Sequence, residues 1–231
     1  MAIAIIPARG GSKRIPHKNI RSFCGQPMLA YAIQAAQAAG CFNHIVVSTD
    51  DEEIAEIARQ LGAEVPFMRP ATLADDHTGT TPVVIDAIKR LEMLGLQSQH
   101  YCCIYATVPL ILAGDLSAAY RRLLTSQAPF VYTVAEFGFP IQRAVRMDEQ
   151  GRVTPLWPEQ MATRSQDLES TYQDAGQFYW GSRAAWLDGI SPVGGEGIGH
   201  ILPRYRVVDI DTPEDWHLAE LLYRVLGQDG I

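Results

Sequence analysis

Residues 3–19, IAIIPARGGSKRIPHKN, decide how the rest of the chain is read. Ile3-Ala4-Ile5-Ile6 is a short, β-branched apolar run of the kind that forms a strand buried on both faces. Pro7 ends the run. The loop beyond it carries Gly10-Gly11-Ser12 at its tip, with Arg9, Lys13, Arg14 and Lys18 around it. Glycines let backbone N–H groups close on an anion, and fixed cations neutralise it. Charge alone would favour a solvated surface loop. Position favours a ligand, because a loop leaving the first strand of a parallel sheet lies at the carboxyl edge, where α/β proteins bind.

Outward from this stretch the pattern alternates. Residues 26–40 read as a helix with Pro27 in its first turn and Gly40 beyond its end, and 44–48 as a strand. Asp50 is placed to cap a helix that runs to Gly62. A short strand follows at 63–67, then a polar loop at 74–81 in which Asp76 reads as a ligand or, more simply, as a turn residue. Helix 82–94, strand 101–105, helix 115–124 and strand 130–134 continue the alternation. A final strand is expected at 205–209, with Thr212 capping a closing helix. Strand and helix in turn predict a doubly wound, mostly parallel, Rossmann-like α/β sheet.

One excursion interrupts it. Residues 137–164 are rich in proline and aromatics, and 142–147 with 152–156 read as a hairpin around Asp148-Glu149-Gln150-Gly151. Such an arm has no core of its own, so it is expected to pack on a second subunit in a homodimer. The whole, 1–231, then reads as one domain with a dimerisation arm.

The bulk numbers narrow the partners. Of the 231 residues 47% are hydrophobic, which suits a packed core, and the net charge of −7 argues against a nucleic-acid backbone as ligand. The basic first loop is a local exception suited to a small anion. No apolar run approaches the ~20 residues of a membrane span, and no leader pattern opens the chain. Cys24, Cys41, Cys102 and Cys103 have neither zinc nor disulfide spacing and read as reduced thiols of a cytoplasmic protein.

Polar groups gather in four loops that leave strands at one edge: 9–18, 69–81, 105–109 and 209–211. In the last, Asp209 and Asp211 project to one side of an extended segment. Two hard oxygen donors are what Mg2+ takes when phosphates and water complete its shell. Asp211 as a helix cap and Asp209 in an ion pair would explain them as well. A cationic loop and a carboxylate pair at one edge are together the parts of a phosphoryl or nucleotidyl transferase. Arg14 reads as solvated. No GxGxxG spacing, histidine ligand set or Ser/His/Asp arrangement competes.

PARGGSKRIPHKN at 7–19 resembles the signature loop of the CMP-sugar synthetases, the cytidylyltransferases that activate nonulosonic acids. Arg9, Ser12, Lys13, Lys18 and Asn19 fall at that family's spacing. Arg69-Pro70 with Thr78 and Thr80 resembles its segment for the cytidine ribose and base, and Asp209-Ile210-Asp211 with Trp216 resembles its metal-binding DxD and closing helix. The resemblance runs from end to end. CCIYATVP (102–109), PIQRA (140–144), RSQDLE (164–169) and YQDAGQFYWG (172–181) are most similar to the pseudaminic acid branch.

The resemblance implies a fold of the nucleotide-diphospho-sugar transferase type. It implies that the anomeric hydroxyl of a nine-carbon sugar acid attacks the α-phosphate of CTP, making a CMP-sugar for cell-surface glycans or flagellin glycosylation. It assigns Ala8, Arg9, Gly10, Ser12, Lys13, Lys18, Asn19, Arg69, Thr78 and Thr80 to the nucleotide. Thr107, Gln142, Arg143, Gln177 and Tyr179 go to the sugar, and Asp209 and Asp211 to Mg2+. Arg9, Lys18 and the two aspartates carry the catalysis in this reading. The two threonines would serve equally as helix caps, and Arg143 as a surface residue of the arm. N-acylneuraminate or legionaminic acid as substrate, and a non-catalytic CTP-binding module, are the other readings.

Overall fold

A computed structural model describes residues 1–228. In chain order its elements begin with β1 (Ala2–Pro7), β2 (Ser22–Phe23), β3 (Gln26–Pro27), α1 (Met28–Ala39), β4 (Phe42–Ser48) and α2 (Glu52–Gln60). Then come α3 (Thr80–Met93), β5 (His100–Ile104), α4 (Ala113–Thr125), β6 (Phe130–Glu136), β7 (Val145–Met147) and β8 (Val153–Pro155). The chain closes with β9 (Tyr172–Ser182), α5 (Arg183–Leu187), β10 (Ile198–Leu202) and α6 (Pro213–Gln228).

Every side chain from Ala2 to Ile6 is buried, so β1 must be covered on both faces. Ala2, Ala4 and Ile6 pack in one layer with Leu29 and Ile33 of α1 and Leu116 and Leu123 of α4. Ile3 and Ile5 pack in the opposite layer with Val84, Ile88 and Leu91 of α3 and Trp186 of α5. The period of two along a strand thus feeds two separate cores. The sheet order is β10-β6-β9-β5-β1-β4, and all pairs are parallel except those of β9, which runs against both β5 and β6. Trp180 of β9 braces one layer, stacked at 4.4 Å on Tyr120 and 5.0 Å on Phe42.

Five local expectations are corrected. Residues 63–67 form only a single bridge, Glu64 to Val46, since Pro66 has no N–H for a ladder. The last strand is β10, paired with β6, and not 205–209. Pro203 interrupts the backbone donors there, 204–206 make a 3₁₀ turn, and 207–211 leave the sheet as an irregular segment. Asp51, not Asp50, caps α2 by accepting the N–H groups of Glu53 and Ile54. Pro27 lies in β3, one residue ahead of α1, and α3 begins at Thr80, two residues earlier than its periodicity marks.

The arm at 137–164 contains the β7–β8 hairpin in antiparallel register, its turn held by Asp148, which accepts the N–H groups of Gln150 and Arg152. Neither strand buries a residue. No helix among the described residues is long and apolar enough to cross a membrane.

Candidate active site

The loop after β1 and the segment before α6 are brought together by a small separate core. Ile15 of the first and Ile210 of the second are each 1% exposed, packed with Phe23, Met28, Tyr31 and Trp216. Burying Ile210 turns its neighbours Asp209 and Asp211 away from that core, as an extended segment requires. Lys18 completes the join: its Nζ donates to the Ile210 carbonyl at 2.7 Å and lies 3.4 Å from Asp211 Oδ1. Thr212 caps α6, its Oγ1 accepting the Asp215 N–H at 3.2 Å while the Asp215 carboxylate takes the N–H groups of Asp211 and Thr212. The cap belongs to Thr212, which leaves the Asp211 side chain free for the cleft.

The cleft at the carboxyl edge of the sheet holds about 480 Å³. Arg9, Ser12, Lys13, Lys18, Asn19, Arg69, Thr78, Thr80, Thr107 and Asp211 line it, so the structure gathers these sequence-predicted residues from four loops into one space. Ala8 lies just behind, buried, donating its N–H to the Ser48 carbonyl at 2.9 Å. Gly10 is tightly placed: its N–H donates to Asp50, and a Cβ there would stand 2.6 Å from the Asp51 carboxylate that caps α2. The glycine therefore lets the loop lie across the start of α2. Asn19, buried, holds the Arg9 carbonyl at 2.8 Å.

Arg69 is 6% exposed and donates from Nε to Ser48 Oγ at 3.2 Å, and from its terminal nitrogen to the Ser48 carbonyl. Burial, and after it the charge of Arg9, lower its pKa, though a guanidinium stays charged at neutral pH. Thr80 is the first residue of α3 but does not cap it. Its hydroxyl lies 3.0 Å from the Tyr105 hydroxyl, on the cleft side.

Two carboxylates hold the four cations of the first loop. Asp76 pairs with Arg9 at 2.8 Å and with Lys13, and those hydrogen bonds, Lys13 first, lower its pKa. Asp211 pairs with Arg14 at 2.8 Å and with Lys18. The cleft thus carries internal anions where a polyphosphate would place its own. Both line the cleft: Asp76 does so as an ion-pair partner rather than a turn residue, while Arg14, its side chain 66% exposed, lines it and remains solvated as read. No local pattern marks either, because their partners are distant in sequence.

Asp209 is exposed and lies outside the cleft lining. Among the described residues it has neither an ion pair nor a hydrogen bond. The protein around it, and then Asp211, raise its pKa. The two carboxylates are hard-oxygen donors of the kind Mg2+ takes, and among the described residues no group of three or more His, Cys, Asp or Glu side chains forms a metal cluster.

A second cavity of about 190 Å³ shares Thr80 and Tyr105 with the cleft and is walled by Tyr179, Asp174, Trp186, Pro192 and Val193. Tyr179 donates to Asp174 at 2.6 Å. Tyr105 and Asp174 are additions from the structure: strand-end and bulge positions carry no signal of which cavity they reach. The other residues predicted for the sugar lie elsewhere. Gln177 of β9 is buried and outside both, donating to the Arg206 carbonyl at 2.6 Å. Gln142 and Arg143 sit at the root of the arm, bonded to the carbonyls of Glu169 and Thr163, and line neither the cleft nor the cavity beside it.

Known proteins place this architecture. A family model described as cytidylyltransferase matches residues 3–181. A pseudaminic acid cytidylyltransferase of Campylobacter jejuni is 44% identical over 96% of each chain. A CMP-N,N'-diacetyllegionaminic acid synthase of Legionella pneumophila is 31% identical over 99% of this chain and 98% of its own. Among solved structures, a CMP:2-keto-3-deoxy-manno-octonic acid synthetase complexed with CTP superposes with a TM-score of 0.72 at 17% identity, covering 99% of both chains. The mostly parallel sheet with a cation-lined carboxyl-edge cleft is therefore that of a nucleotidyltransferase, and the chain belongs to the cytidylyltransferase family.

Proposed function

We propose that the protein couples CTP to pseudaminic acid, giving the CMP-sugar and pyrophosphate. The observation that carries the geometry is a cation-lined cleft that shares Thr80 and Tyr105 with a smaller cavity, whose lining among the described residues holds no cation. That division suits a polyphosphate on one side and a largely uncharged sugar body on the other. The choice of sugar rests on the 44% identity with the Campylobacter enzyme.

In this reading Arg9, Lys13 and Lys18, with Ser12, hold the triphosphate and release Asp76 and Asp211 from their present pairs. Asn19 fixes the backbone of Arg9. Arg69, Thr78 and Thr80 face the nucleoside. Tyr179 and Thr107 face the sugar. The anomeric oxygen forms a bond to the α-phosphorus, and the bond from that phosphorus to the bridging oxygen breaks. Pyrophosphate leaves with the electron pair, and the hydroxyl proton passes to solvent. Arg9 and Lys18 stabilise the charge that develops. Asp209 and Asp211 would hold Mg2+, which supplies charge neutralisation and acidifies a bound hydroxyl.

The reading includes a cytoplasmic homodimer. Support for the second copy comes from the arm, where Phe139, Met147 and Val153 are 86%, 69% and 61% exposed on a segment with no core. A two-stranded hairpin is marginal unless something covers it. Gln142 and Arg143 would then act across the interface.

The purified protein with CTP, Mg2+ and pseudaminic acid should release pyrophosphate stoichiometrically with sugar consumed. Consumption of N-acetylneuraminic or legionaminic acid in its place would overturn the sugar while leaving cytidylyl transfer standing. CTP binding without turnover of any sugar acid would mark a binding module.

A further inference from the structure

The cavity beside the cleft has an unusual charge. Among the described residues its lining includes no lysine, arginine or histidine, and its one ionisable acid is Asp174. Gly176, with φ +60°, bulges β9 in a conformation that favours glycine, and its N–H donates to Asp174 Oδ1 at 3.0 Å. Tyr179 donates to Oδ2 at 2.6 Å. Burial, and after it Tyr105 and Asp174, keep the Tyr179 phenol far above its ordinary pKa, so it remains a proton donor. The carboxylate is held by two donors and keeps further acceptor capacity, since each oxygen has two lone pairs. Pro192 and Val193 supply apolar wall on the same cavity.

A fixed anion with no cation beside it would repel the carboxylate of a sugar acid and welcome an N–H. We infer that Asp174 is a specificity residue that accepts the amide N–H of an acylamido group on the sugar, with Pro192 and Val193 against the acyl methyl. The sugar's own carboxylate then turns to the cationic cleft. Tyr179 is a positioning residue that aims Asp174. The inference rests on the sugar-acid reading above. It adds what that reading leaves open, namely which end of the sugar enters the cavity and which group is recognised.

The test compares pseudaminic acid with an analogue bearing O-acetyl in place of N-acetyl, which offers no N–H. Asp174→Leu should raise the KM for pseudaminic acid at least tenfold while leaving the KM for CTP within twofold. The same substitution should leave the O-acetyl analogue unchanged or improve it, since the wild-type carboxylate faces an ester oxygen there. Tyr179→Phe should give a smaller shift of the same sign. Equal losses on both sugars would show a structural role only, and an unchanged sugar KM would remove the residue from recognition; either overturns the inference. Failure of the wild-type protein to use pseudaminic acid would fail the earlier reading instead, and the same variants are then compared on the acylamido sugar acid it does accept. Turnover of no sugar acid would overturn both.

Discussion

Single residues in this protein do their work through partners far away in the chain. Lys18 shows it: one ammonium touches the Ile210 carbonyl and the Asp211 carboxylate, 192 and 193 positions on. Under the proposed function that ammonium serves the triphosphate as well. Lys18→Met should therefore lower kcat/KM for CTP by about 10²–10³-fold, the usual cost of removing one group that stabilises transition-state charge. Steady-state kinetics beside a thermal melt checks this, and unchanged turnover would remove Lys18 from the catalytic set. At this scale the sequence was a good guide to the cations and to Asp211, and a poor one to Asp76. Arg9, Lys13 and Lys18 sit in one contiguous motif. Asp76 sits in an unremarkable polar loop and acquires meaning only when folding sets it against Arg9.

Among elements, the irregular segment after β10 is the one that must be held in place, since it carries Asp209 and Asp211 without a ladder of its own. Asp115 of α4 does part of this, pairing with Arg206 at 2.6 Å and with His200 at 3.1 Å. Burial alone would raise the Asp115 pKa, but the hydrogen bonds from His200 and Arg206 outweigh it and lower the value below its ordinary 3.8. Its stabilising contribution is thus complete above that value and is lost as pH falls through the folded pKa. Asp115→Asn should cost roughly 1–3 kcal/mol at neutral pH and flatten the acid limb of the stability curve. Chemical denaturation across pH measures both, and parallel acid limbs in wild type and variant would refute the assignment. Periodicity located α1 through α4 because apolar spacing is a local signal. It misplaced the last strand, because Val207 and Val208 are as apolar as a strand while Pro203 and the competing β10 decide otherwise.

For the whole molecule, the exposed apolar residues of the arm, Phe139, Met147 and Val153, bear on assembly. If a second copy covers the arm, Met147→Asp with Val153→Asp should convert a dimer to a monomer in sedimentation velocity, with the melting of the sheet domain little changed. A wild-type monomer at micromolar concentration would dispose of the dimer and of any role for Gln142 and Arg143 across an interface. The antiparallel β9, inserted between β5 and β6, is a feature of the same scale. It carries Asp174 and Tyr179 to the cavity beside the cleft, while Gln177, two residues before Tyr179, is buried and bonded to the Arg206 carbonyl.

By itself the sequence determined the strand–loop–helix opening, the alternation that makes a doubly wound sheet, and the cation and carboxylate motifs. Each of these is written in residues near one another, where spacing and backbone chemistry act locally. Only the tertiary structure decided which charges meet. Packing of Ile15 and Ile210 into one core sets Arg14 and Lys18 against Asp211. The bulge at Gly176 sets Asp174 beside Tyr179. Such pairings depend on how layers close over a common core, and the sequence around each partner bears no mark of the other.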